Sequence, residues 1–140
     1  MARVEVEIPE QFAFSTEVEV LYCHVNAAGH MGNDSLVGII NEARTRYLKQ
    51  PGLNTIESES KGLINADLAV IYKSEAKHGE TLVIDITAQA FQKYGCDFVY
   101  QVKEKVSGRV VAIAKTAMLM FDYEVSGLAQ VPDHFEGLFS

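Results

Sequence analysis

The sequence predicts an α+β fold in which one long central helix is wrapped by a five-stranded antiparallel sheet. Three observations lead to this class. Only residues 34–49 combine helical length with apolar residues at helical spacing. The segments on either side alternate apolar and polar residues, as half-buried strands do. The later strands are separated by short turns, which join antiparallel neighbours. A lone amphipathic helix beside such strands buries its apolar face against the inner face of the sheet.

The first strand is predicted over residues 16–22, where valines and a tyrosine alternate with glutamates. Residues 23–33 are rich in Gly, Asn, His and Ala and are predicted to form a loop. The helix follows. Asn33 or Asp34 can cap its start, and Pro51-Gly52 ends it. Its apolar stripe consists of Leu36, Ile40, Ala43 and Tyr47.

Four strands are predicted after the helix. A polar segment at residues 54–61 precedes them and is expected to be an exposed loop. The strands themselves are expected over about residues 66–74, 80–91, 97–106 and 109–123. The turns between them are predicted at His78-Gly79-Glu80, Lys93-Tyr94-Gly95 and Ser107-Gly108.

The length and composition of the chain predict one domain over residues 1–140. The chain is long enough to bury a core and has no internal repeat, low-complexity run or Pro/Gly-rich linker. No stretch has the length and apolar character of a membrane span. The N-terminus lacks the pattern of a secretory signal, and two well-separated cysteines make no disulfide framework. A cytoplasmic location is therefore expected.

The net charge of -7 argues against binding to nucleic acid. Phosphate contacts need clustered Lys and Arg, and the 12 basic residues of this chain are scattered. An acidic protein can still hold a small phosphorylated ligand through a few local cations. Candidates for such contacts, in or near the predicted turns, are Lys73, Lys77, Lys93 and Arg109.

The stretch LYCHVNAAGHMGNDSLVGIINEARTRYL resembles the signature of the hotdog-fold acyl-CoA thioesterases, of the 4-hydroxybenzoyl-CoA thioesterase type. In that signature a strand ends in Asp-x-Asp, followed by Gly-His-x-x-Asn and a helix with Glu-Ala-Arg. The later segments DLAVIYKSEAKHGETLVIDI, KYGCDFVYQV and AKTAMLMFDYEVSGLAQVP resemble the remaining strands and the tail. The resemblance covers nearly the whole chain and implies a hotdog fold.

The resemblance also implies an activity and an assembly. The expected reaction is hydrolysis of an acyl thioester, carried on coenzyme A or on an acyl-carrier protein, to a carboxylic acid and a free thiol. Coenzyme A enters as part of the substrate, and no other cofactor is expected. The family assembles as homodimers or homotetramers, with the active site between the helix of one subunit and the sheet of its partner.

In the branch that the chain most resembles, the second carboxylate of the Asp-x-Asp pair acts as base or nucleophile. A backbone N–H at the start of the helix polarises the thioester carbonyl. By position, that N–H belongs to Asn33 or a neighbour, and the loop from Asn26 to Gly32 wraps the thioester. Asn26 occupies the carboxylate position and His24 that of the first aspartate. An amide neither accepts a proton nor attacks as a carboxylate does.

Three explanations of this asparagine stay open. Asn26 can orient a water while another group acts as base, and the candidates for that base are His30, Glu42, His24 and Asp34. The protein can instead bind acyl thioesters without cleaving them. The asparagine can also be an introduced substitution. Substrate contacts are expected from His24, Gly29, Gly32, Asp34 and Lys93.

The candidate residues also have structural interpretations. His30 can shape the loop through backbone hydrogen bonds, and Asp34 can be a helix cap. Glu42 lies away from the apolar stripe and can pair with Arg46 four residues later. The four histidines match no strong zinc spacing, so no metal site is expected. A hotdog dehydratase is a weaker alternative, because it needs a paired acid and base and no second carboxylate is evident.

Overall fold

The computed structural model describes all 140 residues and contains one long helix packed on one curled antiparallel sheet. This is the predicted α+β hotdog architecture. Three short 3-10 turns complete it, at Tyr22–His24, Leu53–Thr55 and Glu136–Phe139. The helix and strands are β1 (Phe14–Glu19), α1 (Asn33–Leu48), β2 (Lys61–Asn65), β3 (Ala69–Tyr72), β4 (Thr81–Gln92), β5 (Gly95–Glu104), β6 (Val110–Asp122) and β7 (Gly127–Leu128).

The sheet has seven strands where the sequence predicts five. Its main path is β1-β4-β5-β6-β2, and β3 and β7 also pair with β6. The extra strands arise because the strand predicted over residues 66–74 begins earlier and is split, and because the two-residue β7 folds back onto β6. Lys61–Asn65, placed partly in the predicted loop, pairs with Asp122–Met118 of β6. Period-2 alternation does not reveal such an interruption.

Asp67 lies in the gap between β2 and β3. Its carboxylate accepts the N–H of Ala117 at 2.7 Å and lies 2.7 Å from Nζ of Lys115. The hydrogen bond from Lys115 lowers the pKa of Asp67 below its usual value. The Asp67 carboxylate thus replaces a backbone carbonyl as the partner of β6 in the gap between β2 and β3.

Two local expectations are corrected by the structure. The first strand ends at Glu19, and Tyr22 lies in an exposed 3-10 turn. The turn at His78-Gly79-Glu80 does not join neighbouring strands, because β5 and β6 lie between β3 and β4 in the sheet. The segment containing it, residues 73–80, instead crosses the end of the sheet. Gly79 has φ +88° in this turn, a conformation that favours glycine.

The helix buries the predicted stripe of Leu36, Ile40, Ala43 and Tyr47, together with Ile39. These side chains pack on the inner face of the sheet, where alternate residues of β4, β5 and β6 are buried. That alternation is the physical basis of the period-2 prediction. The structure contains no helix with the length and apolar character that crossing a bilayer requires.

The prediction that Asn33 or Asp34 caps the helix is wrong. The N-cap residue is Gly32, in extended conformation at φ -69° and ψ 152°, and no side chain accepts an N–H of the first turn. The N–H groups of Asn33, Asp34 and Ser35 therefore have no hydrogen-bond partner in the chain. Three donors at the positive end of the helix dipole remain free to bind an oxygen.

Candidate active site

A cleft of about 330 Å³ opens where the start of α1 faces β3 and the first half of the crossing segment. Its apolar floor is formed by the buried side chains of Leu36, Ala76 and Val111. The remaining lining residues are Asn26, His30, Met31, Gly32, Asn33, Tyr72, Lys73, Ser74 and Glu75. Five candidates from the sequence thus share one cleft: Asn26, His30, Gly32, Asn33 and Lys73.

Asn26 closes its own loop through its side chain and its backbone. Its Oδ1 accepts the N–H of Ala28 at 3.0 Å and that of His30 at 3.4 Å. Its N–H donates to the carbonyl of His30 at 2.8 Å, and its carbonyl accepts the N–H of Gly29. Gly29 has φ +81°, which explains the glycine at the tip of the loop. The amide oxygen of Asn26 is therefore occupied by the turn.

The loop is paired edge to edge with the crossing segment. The N–H of Met31 donates to the carbonyl of Ala76 at 2.7 Å, and His30 forms a backbone bridge with Lys77. This pairing brings Nδ1 of His30 to 2.9 Å from Oε2 of Glu75. The His30 side chain is one-third exposed, at 33%, while that of Glu75 is 68% exposed. The cleft therefore contains an imidazole with an adjacent carboxylate.

Glu75 is absent from the sequence predictions, although it lies in the cleft. It is 45 residues beyond His30 in the chain, and no motif connects the two segments. Only the crossing of residues 73–80 over the sheet end brings them together. A hydrophobic alternation pattern carries no information about that crossing.

Other predicted site residues lie outside the cleft lining. Gly29 is at the exposed loop tip, and Asp34 is exposed on the first turn of α1. His24 supports the loop: its Nδ1 accepts the N–H of Leu21 at 2.9 Å, and its carbonyl accepts the N–H of Gly32 at 3.0 Å. These contacts give His24 a structural function within the chain.

Glu42 also lies apart from the cleft of its own chain. Its carboxylate pairs with Nε of Arg46 at 2.8 Å. Arg46 in turn donates to Thr16 Oγ1 and to the carbonyl of Glu17 in β1. The pair is thus held against the β1 edge of the sheet, whereas the cleft lies beside β3 and β6. These contacts agree with the structural interpretation of Glu42, in which it pairs with Arg46 four residues later.

Lys93 lies at the opposite end of the sheet from the cleft. It precedes Tyr94, whose carbonyl accepts the N–H of Met120. Met120 is nine residues along β6 from Val111, which lines the cleft, and this separation corresponds to roughly 30 Å of strand. Lys93 therefore does not join the cleft within one chain. The basic residue that does line it is Lys73.

Comparison with known proteins gives a family match and many fold matches. A model of the thioesterase-like superfamily matches residues 20–139. None of the curated proteins compared with the sequence matches it.

Three solved structures illustrate the similarity in fold. The 1,4-dihydroxy-2-naphthoyl-CoA thioesterase Slr0204 from Synechocystis is 17% identical, with 90% of this chain and 94% of that chain covered and a TM-score of 0.79. Escherichia coli YbaW is 16% identical, with coverages of 89% and 94% and a TM-score of 0.80. A thioesterase superfamily protein from Jannaschia is 16% identical, with coverages of 94% and 83% and a TM-score of 0.81.

Proposed function

Because the chain belongs to the thioesterase-like superfamily, we propose that it hydrolyses an acyl thioester of coenzyme A or of an acyl-carrier protein. The products are a carboxylic acid and a free thiol. One observation carries the proposal: Asn33, whose N–H at the start of α1 is unpaired, and the imidazole of His30 line the same cleft. Ester cleavage by water needs these two functions, an electrophilic contact for the carbonyl and a proton acceptor for the water.

The N–H of Asn33, with its neighbours in the first turn, polarises the thioester carbonyl. Negative charge develops on that oxygen as water attacks, and fixed N–H donors stabilise it there. The helix dipole adds to the effect. The apolar floor of Leu36, Ala76 and Val111 receives the first carbons of the acyl group. Lys73 at the rim is the cation available to the phosphates of coenzyme A.

His30 acts as the base in this proposal. Asn26 cannot accept a proton, and Glu42, His24 and Asp34 do not line the cleft of their own chain. His30 lines it, and imidazole is the side chain best suited to exchange protons near neutral pH. Asn26 keeps the supporting role of holding the loop, and its NH2 group is free to orient the attacking water.

The proposal includes a homodimer or homotetramer. β2 and β3 pair with β6 on one side only, so the outer edge that they form has no partner strand. Leu68 and Tyr72 are exposed along this edge, at 45% and 43%. An open edge with apolar side chains favours association with a second copy, and sedimentation in solution would reveal it. A cytoplasmic location suits Cys23, which is exposed and unpaired.

The test is thiol release from a panel of short, long and aromatic acyl-CoA esters. We expect the unmodified chain to cleave at least one ester. Glu42→Gln should cleave it at a similar rate, because the Glu42 carboxylate bonds to Arg46 and does not line the cleft. Loss of activity in Glu42→Gln would instead identify Glu42 on the helix as the base, in a cleft completed by a partner subunit.

The alternative is a protein that binds acyl thioesters without cleaving them, and the amide at position 26 favours it. It predicts that the unmodified chain releases no thiol, whereas Asn26→Asp does. The substitution retains the oxygen that bonds Ala28 and His30, so the loop is expected to keep its shape. Turnover by Asn26→Asp alone would reduce the function to recognition of the thioester.

A further inference from the structure

We propose that Glu75 is the positioning residue of the site: its carboxylate fixes the tautomer and orientation of His30, so that Nε2 becomes the proton acceptor. This inference rests on the proposed thioester hydrolysis and extends it to a residue outside the loop and helix. It follows from one contact, the 2.9 Å separation of His30 Nδ1 and Glu75 Oε2, and from the way the chain holds both groups.

The contact determines where the imidazole proton lies. An ionised carboxylate has only acceptor atoms, so the nitrogen that faces it must carry a hydrogen. A neutral imidazole has a single N–H. With that hydrogen on Nδ1, the lone pair is on Nε2, which is then available to a water in the cleft.

The backbone around Glu75 is held from two sides. Arg109 donates from Nη2 to the carbonyl of Glu75 at 2.9 Å and from Nε to Oγ of Ser74 at 3.1 Å. Ser74 Oγ donates to the carbonyl of Val110 at 2.8 Å, which ties the segment to β6. Ala76 is 1% exposed, and its carbonyl accepts the N–H of Met31. Arg109 therefore holds the crossing segment in place.

Arg109 is itself fixed by the carboxylate of Glu80, whose oxygens lie 3.2 and 3.3 Å from Nη2. Glu80 Oε1 also accepts the N–H of Lys77, at 2.7 Å. These bonds make the turn at residues 77–80 part of the same support. The position of the Glu75 backbone relative to the His30 loop is thus set by these bonds and does not depend on the His30–Glu75 contact alone.

The step balances with water as the second reactant. The water oxygen bonds to the thioester carbon while one of its protons passes to His30 Nε2. The carbonyl electron pair moves to the oxygen, which the N–H groups at the start of α1 stabilise. When the electron pair returns, the carbon-sulfur bond breaks, and the leaving sulfur takes the proton from Nε2. Glu75 remains ionised and stabilises the transient imidazolium.

Because His30 and Glu75 are partly exposed, the effect of Glu75 on catalysis can be measured apart from any effect on folding. Glu75 is 68% exposed, and ion pairs at such positions contribute little to stability. Removal of its carboxylate should therefore leave the fold intact. Glu17 offers a matched control, because it is 49% exposed and pairs with Lys105 at the same 2.9 Å, on the β1 edge away from the cleft.

The experiment compares Glu75→Ala with Glu17→Ala on an ester that the unmodified chain cleaves. For Glu75→Ala we expect kcat to fall by about tenfold or more while KM and Tm change little, because the tautomer is no longer fixed. Glu17→Ala should match the unmodified chain. His30→Ala should lose about 10²- to 10⁴-fold in kcat and regain part of it on addition of free imidazole.

The tautomer is measured independently by ¹⁵N NMR of the histidines, with His30→Ala for assignment. The neutral His30 ring should carry its hydrogen on Nδ1 in the unmodified chain and lose that preference in Glu75→Ala. A hydrogen on Nε2 in the unmodified chain would overturn the inference, as would a Glu75→Ala variant as active as Glu17→Ala. If the unmodified chain releases no thiol from any ester but His30 carries its hydrogen on Nδ1, the proposed hydrolysis is refuted. The contact that positions His30 is then still supported.

Discussion

At the scale of single residues, Asn26 shows how one side chain can keep a shape without the chemistry that the resemblance implies. Its Oδ1 accepts the N–H groups of Ala28 and His30. An aspartate could accept the same two bonds, and it would also place a negative charge in the cleft. The loop conformation is therefore compatible with either residue. An aspartate and an asparagine at this position differ in whether the side chain can accept a proton.

A second residue of interest is Tyr47, whose hydroxyl is buried and makes no hydrogen bond within 3.5 Å, although the backbone of Ala88 lies near enough to lower its pKa slightly. Burial raises the pKa of this phenol to about 12. Its ring stacks on Phe14, with centroids 5.3 Å apart, and meets the edge of Phe98. The ring stabilises the core, while the unpartnered hydroxyl opposes burial.

Tyr47→Phe is therefore expected to raise the free energy of unfolding by about 1 kcal/mol, because it removes an unpaired polar group and keeps the ring. Urea denaturation measures the change. Tyr100→Phe is the control, since the hydroxyl of Tyr100 bonds Thr116 Oγ1 at 2.8 Å and its removal should destabilise. A loss of stability in Tyr47→Phe would mean that this hydroxyl has a partner, such as a bound water.

At the scale of elements, the close approach of β5 and β6 depends on Gly95. A Cβ built at this position would overlap the carbonyl oxygen of Met118, and backbone cannot move aside as a flexible side chain can. Gly95 pairs with Gln92 across the β4–β5 turn and with Leu119 on β6. The glycine thus allows the hairpin to sit tightly against the long β6 strand.

We expect Gly95→Ala to lower the free energy of unfolding by about 1–3 kcal/mol through steric overlap. Gly38→Ala is a matched control, because Gly38 lies on an exposed face of α1 with no atom near the added Cβ. That change should stabilise the helix by about 0.5–1 kcal/mol. Equal effects of the two substitutions in urea denaturation would contradict the close approach of β5 and β6.

The crossing segment is the element on which the site depends most. It leaves the edge strand β3, passes the ends of β5 and β6, and enters β4. On the way it pairs with the loop before α1 and contributes Lys73 and Glu75 to the cleft. Its path follows from the order of the strands in the sheet, because β3 and β4 are neighbours in sequence but not in space.

At the scale of the whole molecule, the buried acids of the core determine how stability responds to alkaline pH. Burial raises the pKa of Cys96 from 9.0 to about 12, with the charge of Asp97 adding to the effect. Burial likewise raises the pKa of Tyr47 from 10.0 to about 12. Both groups are neutral in the folded chain and lose their protons more readily when it unfolds.

The contribution of Cys96 and Tyr47 to the free energy of unfolding should therefore be constant below pH 9. It should fall as pH rises from 9 toward 12. Above pH 9 for Cys96, and above pH 10 for Tyr47, the group keeps its proton in the folded chain and loses it in the unfolded one. Each group then contributes a negative slope of about 1.4 kcal/mol per pH unit. Urea denaturation at several pH values measures it. Cys96→Ala should remove the part of the slope that begins at pH 9; an unchanged slope in this variant would contradict the assignment.

Local sequence patterns were sufficient to predict the helix, the long strands and the fold class. Helical spacing located α1 and its buried stripe, and alternation located the long strands β4 and β6. The fold class followed from these elements, because one apolar helix face and one apolar sheet face can be buried only against each other. The candidates Asn26, His30 and Asn33 came from the resemblance of one short stretch to a family signature, in which they lie within eight residues on one loop and helix start.

The distant residues that join that loop became known from the folded chain. The tertiary structure brought Glu75 and Lys73 into the cleft, placed Lys93 at the far end of the sheet, and turned Glu42 toward Arg46 and β1. It also replaced the expected side-chain cap with Gly32, which leaves the first N–H groups of the helix unpaired. The physical reason is that contacts between remote segments depend on strand order and on the path between strands, and the periodicity of a single segment encodes neither.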